Sequence, residues 1–435
     1  MGTLGISMFL LALLALLLAG GVWVALVLLA MGWAAMELFT STPVGMLMAT
    51  TVWGSSANWS LTALPLFIWM GEILFRSRIS EDMFRGLAPW LTGLPGRLMH
   101  CNVIGCGIFA AISGSSAATA ATIGKMTVPE LRKRGYYEPM VIGSLAGAGT
   151  LGLLIPPSII MIVYGVAADV SIARLFIAGV VPGILLIGLF SGYIMVWALL
   201  NPDKTPPSDM RLGFAQKLYA SRLLIPTVLL IASVIGSIYA GIATPTEAAV
   251  LGVVGSLVLS LVSGSLNWET FYSSVMGATR TSCMIAFILT GAAFLTTAMG
   301  FTGIPKAIAL WITSQALSPV MLIAVLTLLF MVMGCFLDGI SMVVLTAAVI
   351  LPTVEAAKID LLWFGVFIVL VVEMAQITPP VGFNLYVLQN LTGKNIFSVG
   401  KAALPFFLLL AVAVSIIWIF PEIVTYLPRR MLGIR

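Results

Sequence analysis

Leu154-Ile-Pro-Pro-Ser158 interrupts one long apolar run of the chain, and Thr378-Pro-Pro-Val-Gly382 interrupts another. Adjacent prolines remove two backbone donors and clash with the preceding turn, so a helix has to open there. Within hydrocarbon, opened backbone survives only where protein, water or an ion satisfies it. Pro156-Pro157 and Pro379-Pro380 therefore mark two discontinuous helices. Each offers carbonyls at one broken end and amides at the other, suited to a cation and an anion respectively. A single pair would read as an ordinary kink, but the spacing argues for more. The interval from Pro129 to Pro156 equals the interval from Pro352 to Pro379, so one constant offset carries the first set of prolines onto the second.

The same offset works outward along the chain. It sets Ser115-Ser116 opposite Asp338-Gly339; a looser match, outside that offset, pairs Thr42-Pro43 with Thr244-Pro245. Around the first of these, Arg76, Arg78, Arg85 and Arg97 precede the apolar stretch 101–124, while Lys125, Arg132, Lys133 and Arg134 follow it. Basic flanks stay in the cytoplasm, so the stretch has both ends on one side and reads as a re-entrant hairpin. Residues 319–351 read as its repeat.

Ten crossings complete the reading. The first half, residues 1–200, holds three spans (4–35, 44–53 and 60–75), the hairpin at 101–124, a broken helix at 139–168 and one more span. A cytoplasmic loop at 201–222 follows, with Lys204, Arg211, Lys217 and Arg222. The second half, residues 223–435, repeats the order: three spans, the hairpin at 319–351, a broken helix at 361–389 and one span. Five crossings per half is odd, so the halves are inverted relative to each other. Both termini then lie outside; Arg429, Arg430 and Arg435 run against this, outweighed by the internal loops. The stretch 3–30 lacks a basic leading region and reads as a retained span.

Composition agrees. Of 435 residues, 60% are hydrophobic and 9% charged, too few ionic groups to cover a water-facing surface. The fold class is an all-α polytopic membrane protein. A scattered net charge of +5 implies no nucleic acid. Cys101, Cys106, Cys283 and Cys335 form no CxxC and His100 is the single histidine, which argues against zinc and Cys–His chemistry. No GxxxxGK[ST] loop suggests ATP as the driver.

The hairpin tips carry the chemistry. Ser113-Gly-Ser-Ser-Ala-Ala-Thr119 is dense in hydroxyls and small residues that permit close backbone approach. Small residues also serve plain helix packing, the reading adopted for Ala117, Ala118 and Ala120. Asp338 stands within an apolar stretch, and a carboxylate at membrane depth is costly unless paired. It reads as part of a sodium or proton site, or as a helix cap, and the two roles can coexist. Glu373, Gln376, Asn384 and Tyr386 flank the second break, and Thr150, Ser158 and Tyr164 the first; all are weaker signals. Glu72 and Glu247 read as structural or interfacial, and His100 as a membrane-surface residue.

Gly114-Ser-Ser-Ala-Ala-Thr-Ala-Ala-Thr-Ile-Gly124, Leu154-Ile-Pro-Pro-Ser158, Ala243-Thr-Pro-Thr-Glu-Ala-Ala249 and Thr378-Pro-Pro-Val-Gly-Phe-Asn384 occur in the chain. Together they closely resemble the large, DctM-like membrane subunit of TRAP (tripartite ATP-independent periplasmic) transporters, over about residues 64–420. The resemblance implies a sodium-driven symporter of the bacterial or archaeal inner membrane, moving its transport domain against a scaffold as an elevator. It implies a small four-helix membrane subunit and a periplasmic binding protein as partners, and small organic acids, such as dicarboxylates and sialic acids, as substrates. By matching position, one sodium site falls on Ser115, Ser116, Gly149, Gly152 and Ile155. A second falls on Asp338, Gly339, Thr378 and Gly382. Substrate lies between them, with Ser116, Ser158, Thr378 and Asn384 as candidate contacts. No cofactor beyond the coupling ion is expected.

An anionic solute entering the cell opposes the membrane potential by ~2.3 kcal/mol per charge per 100 mV, which co-transport of more than one sodium offsets. The alternative is a stand-alone sodium–anion symporter of related hairpin architecture that needs no partners. A channel would need a continuous polar pathway where these spans show isolated breaks. An intramembrane enzyme would need a Ser–His or paired-Asp constellation that does not appear.

Overall fold

A computed structural model describes residues 3–207, 213–304, 307, 318–334, 336–379 and 382–431. The regular elements among them are all helical. Among the described residues five helices are long and apolar enough to cross a membrane, or up to seven spans if each sharply bent pair is one. Shorter apolar helices, such as Val24–Phe39 and Leu361–Gln376, supplement them.

The two hairpins lie where the offset puts them. His100–Ser113 and Ser116–Lys133 form the arms of the first, Pro319–Gly334 and Gly339–Ala356 those of the second. The second arms begin and end at that same offset, and so do the starts of the following helices, Glu138–Gly149 and Leu361–Gln376. Ser115 and Asp338 are the N-caps of the two second arms, so the register extends to the tips themselves. The helix from Glu138 to Leu154 bends by 43° into Ile159–Ala167 at the first proline pair. The second gives way between Leu361–Gln376 and Phe383–Thr392. Pro380, like Arg211, Cys335 and Arg435, lies outside the described residues.

The first span departs from the reading above. Residues 4–35 form not one helix but two, Thr3–Ala19 and Val24–Phe39. They part at Gly20-Gly21, where Gly21 turns with φ +73°, backbone that a side chain would strain. Hydropathy stays high across this turn, so the run looked continuous. The stretch read as a basic loop also contains a helix, Ile79–Leu91. Ile79, Met83, Leu87 and Leu91 recur every four residues and are buried, while Glu81 and Arg85 pair at 2.9 Å on the outer face.

Two packing arrangements position the site. Glu138–Gly149 lies against Ile396–Ile419 through Gly143 and Gly147, one turn apart. A Cβ on Gly143 would stand 2.1 Å from the Ala402 carbonyl oxygen, and one on Gly147 would stand 2.6 Å from Phe406 Cβ. Small residues at this spacing let membrane helices close to backbone contact. Beside them, Leu361–Gln376 is buried on every side from Leu362 onward, a helix wholly inside the protein. The Tyr164 hydroxyl donates to its first carbonyl, Leu361, at 2.7 Å. At the other end of the hairpin, Glu138 accepts from Arg132 and, at 2.8 Å, from Lys394. Arg132 also donates to the Thr392 carbonyl at 2.9 Å. Hairpin one and both broken helices are thus clasped together across the halves.

A second group of helices differs. Ile225–Tyr239 and Pro245–Val262 bury one stripe and leave Leu229, Leu251, Val254, Val258 and Leu261 outward. Trp268–Thr302 has 35 residues; at ~1.5 Å each it runs ~52 Å, more than the hydrocarbon thickness. It packs closely on Val24–Phe39, where Gly32 admits Phe294 and Gly291 meets the Ala25 carbonyl. Glu247 is a capping residue, its Oε2 accepting from Thr244 N and Oγ1 at 2.8 Å each. His100 corrects the surface reading: it is fully buried, its Nε2 2.7 Å from the Pro95 carbonyl. The chain folds over it at Pro95-Gly96, bringing a backbone acceptor to the ring.

Candidate functional site

Hairpin one is seated directly on the first break. Gly114 ends its first arm in the left-handed region, φ +60°, and the Gly114 carbonyl accepts from Ile159 N at 3.3 Å. A Cβ at Gly114 would lie 2.8 Å from the Pro157 carbonyl oxygen, so only glycine fits. Ser113 and Thr119 join hydroxyls at 2.6 Å across the tip. From the facing helix, Gly152 brings its Cα so near that a Cβ would stand 2.5 Å from the Ser115 carbonyl oxygen, while Gly149 lies against Ala120. Ser115, Ser116, Gly149 and Gly152 are therefore gathered at one place. Ile155 follows at the break, with its side chain against Gly107 and Gly183.

The second break folds more tightly. Gly382 N donates to the Thr378 carbonyl at 3.1 Å. A Cβ on Gly382 would meet the carbonyl oxygens of Gln376 at 2.6 Å and Thr378 at 2.7 Å. Two carbonyls thus crowd the Cα of Gly382 where the helix has opened, the Thr378 one already bonded to Gly382 N. The Thr378 hydroxyl is turned away, donating to the Met374 carbonyl at 2.7 Å. Ser158, at the first break, accepts from Met161 N at 3.3 Å and donates to the Leu153 carbonyl, so its hydroxyl caps the helix it begins.

Both tips meet at Gln376. Its Oε1 accepts from Ser116 Oγ at 2.8 Å, and its Nε2 lies 2.8 Å from where a Cβ of Gly339 would stand. Gly339 also faces Val372 and, from the other broken helix, Ile160. The residue that joins the halves was thus visible in sequence only as one of several flanking polar groups. Glu373 and Asn384, on either side of the same break, are fully buried, and none of their side-chain oxygens or nitrogens has a hydrogen-bond partner among the described residues. Buried polar groups are ordinarily paired, so these two side chains bring unused hydrogen-bonding capacity to the break that Gln376 precedes.

Asp338 lies elsewhere. It is exposed, caps Gly339–Ala356 by accepting from Ile340 N at 3.1 Å and Ser341 N at 3.2 Å, and accepts from the Ser341 hydroxyl. It lines a cavity of about 780 Å³ with Arg280, Cys283 and Trp23. Among the described residues no hydrogen bond joins it to Thr378 or Gly382, although all four residues of that set were grouped by position. Arg280 escaped the sequence reading, yet a cation inside a 35-residue apolar helix is itself a signal. Thr150 bonds its own helix at Gly147, and Tyr386 is exposed.

The family model of the tripartite ATP-independent periplasmic transporter DctM component matches residues 11–423. The C4-dicarboxylate TRAP transporter large permease protein DctM of Pseudomonas aeruginosa is 32% identical over 383 residues, 88% of this chain and 89% of that protein. The protein of the same name from Vibrio cholerae is 30% identical over 401 residues, 87% of each. The sialic acid TRAP transporter permease protein SiaT of Haemophilus influenzae is 28% identical over 91% of this chain and 67% of its own length. Among solved structures, the YdaH transporter of Alcanivorax borkumensis shares the fold at 13% identity, with a TM-score of 0.64 over 91% of this chain and 96% of that one. These proteins are membrane transporters, not enzymes. The chain belongs to the DctM family, the large permeases of tripartite ATP-independent periplasmic transporters.

Proposed function

We propose that this chain is the translocating subunit of a sodium-driven importer of a small organic acid, working by an elevator motion in the inner membrane. Its partners are a small four-helix membrane subunit and a periplasmic binding protein that delivers the acid. In this reading the chain crosses the bilayer ten times in two inverted halves, 1–200 and 223–435, with the hairpins re-entrant. One sodium ion binds at Ser115, Ser116, Gly149, Gly152 and Ile155, a second at Asp338, Gly339, Thr378 and Gly382. The solute lies between, near Ser116, Ser158, Thr378 and Asn384.

The observation that carries this reading is the meeting of both hairpin tips on Gln376, beside two helix breaks and the unpartnered Glu373 and Asn384. The clasp at Glu138 supports a mobile body that holds hairpin one and both breaks, and the contact of Gly339 with Gln376 adds the tip of hairpin two. The long helix Trp268–Thr302 and its outward-facing neighbours suit a scaffold. Relatives named for C4-dicarboxylates and sialic acid support a carboxylate as the solute class.

The test is uptake of radiolabelled organic acids into proteoliposomes that hold this chain, the small subunit and the binding protein, under an imposed sodium gradient. Omitting each component in turn should abolish uptake. Full uptake by this chain alone would move it to the stand-alone symporters, and uptake without sodium would remove the coupling.

A further inference from the structure

A cavity of about 780 Å³ opens between the helix Ile79–Leu91, the end of Ala63–Phe75 and the second arm of hairpin one. Five cations line it: Arg76, Arg78, Arg85, Lys125 and Arg134. Three are matched one turn along their own helices, Arg76 by Glu72, Arg85 by Glu81 and Arg134 by Glu130. Arg78 and Lys125 form no ion pair among the described residues, so the vestibule keeps positive charge to spare. Its flanks are the basic loops that the charge pattern assigns to the cytoplasm.

A smaller cavity of about 210 Å³ lies at the tip of hairpin one, lined by Ser113, Ser115, Ala118 and Thr281. Phe75 belongs to the wall of both cavities. Its ring has Lys125 Nζ at 5.2 Å and Arg76 Cζ at 5.8 Å from the centroid. Ser115, Ala118, Thr122 and Lys125 succeed one another three or four residues apart, so a single helix face leads from tip to vestibule. From Ala118 to Lys125 is two turns, ~10 Å. Thr122 lies on that face and in the vestibule wall, 5% exposed, and its hydroxyl has no partner among the described residues. A buried hydroxyl without a partner, in the same cavity wall as a lysine and an arginine outside any ion pair among the described residues, supplies the donors an anion needs.

We infer that this vestibule is a second anion site, where Thr122 Oγ1, Lys125 Nζ and the Arg78 guanidinium receive a carboxylate of the solute as it leaves hairpin one. Phe75 forms the neck between the two cavities; of the two cations flanking its ring Arg76 is held by Glu72, and Lys125 is the one that draws the departing charge past it. The inference rests on the transport reading above. It adds an exit-side site that acts on release and leaves uptake from outside untouched.

The test is exchange in proteoliposomes holding the three-part system, with a radiolabelled C4-dicarboxylate as the acid outside and the same dicarboxylate, unlabelled, inside. Lys125→Gln and Thr122→Val should each raise the internal acid concentration for half-maximal exchange about tenfold, the loss of one hydrogen bond to a charged group. The external half-saturating concentration should stay at the wild-type value, and Lys125→Arg should restore most of the internal affinity. Equal changes on both sides, or none, would overturn the inference. Thr122→Cys gives a second readout that survives loss of transport: maleimide labelling from the inside, above wild-type background, should be slowed by the acid. Protection by inorganic phosphate as strong as by the acid would overturn the site as one for the solute. Should the wild type carry no carboxylate at all, the transport reading fails, and the thiol protection still decides the vestibule.

Discussion

The two hairpin tips hold the same place in the chain and do opposite things with it. Each caps its second arm in the same register, Ser115 for Ser116–Lys133 and Asp338 for Gly339–Ala356. Tip one is sewn into the interior by the Gly114–Ile159 backbone bond, the Ser113–Thr119 pair and the Ser116–Gln376 bond. At tip two, Gly339 is buried against Gln376 while the neighbouring Asp338 carboxylate faces an open cavity with Arg280. Two elements in the same register therefore share a backbone role and differ in what they show to solvent. One tip is buried wall, the other an exposed charge at a cavity.

The comparison is broken most severely at Gly152. A Val there has no room beside the Ser115 carbonyl at 2.5 Å. Gly152→Val should reduce uptake to background and destabilise the protein by about 1–3 kcal/mol, checked by thermal unfolding in detergent. Ser116→Ala comes next: it leaves the buried Gln376 amide short of a partner, at about 1–3 kcal/mol. A double-mutant cycle with Gln376→Leu should recover most of that energy as coupling; additive effects would mean that the tips do not communicate through this bond.

At tip two the same kind of change should touch function instead of stability. Asparagine caps about as well as aspartate, so Asp338→Asn should alter stability by only a few tenths of a kcal/mol. The sodium concentration for half-maximal uptake should nevertheless rise. A stability loss with an unchanged sodium response would reverse the assignment and make Asp338 a cap alone. Smallest of all, Glu138→Gln loosens the clasp at the base of tip one. Its partly exposed pairs are worth under about 1 kcal/mol, read by denaturation at low and high salt.

What could be read in advance follows from what physics writes along the chain. Pro156-Pro157 and Pro379-Pro380 announce their breaks because proline acts on its own helix. The common offset was legible because the same local signals recur at one spacing, and the helix starts at 116 and 339, and at 138 and 361, fall on it. The turn at Gly20-Gly21 was hidden because hydropathy does not change there. Ile79–Leu91 was hidden because its basic neighbours suggested a loop, although its four-residue apolar period was present. The joining role of Gln376 could not be read at all: it depends on which faces of residues 116 and 376 meet, and no pattern along the chain specifies that. The same holds for Glu373, Asn384 and Thr122, whose polarity was visible and whose lack of partners was not. Asp338 was legible as unusual, and the packing then gave it a cap's duties without excluding an ion's.

The most direct measurement is the sodium dependence of initial uptake in the complete three-part system, for the wild type and Asp338→Asn. Two coupled ion sites predict a sigmoidal dependence for the wild type, with a Hill coefficient clearly above one, that becomes hyperbolic and shifts to higher sodium when Asp338 loses its charge. Uptake indifferent to sodium, or an Asp338→Asn curve that overlays the wild type, would contradict the account.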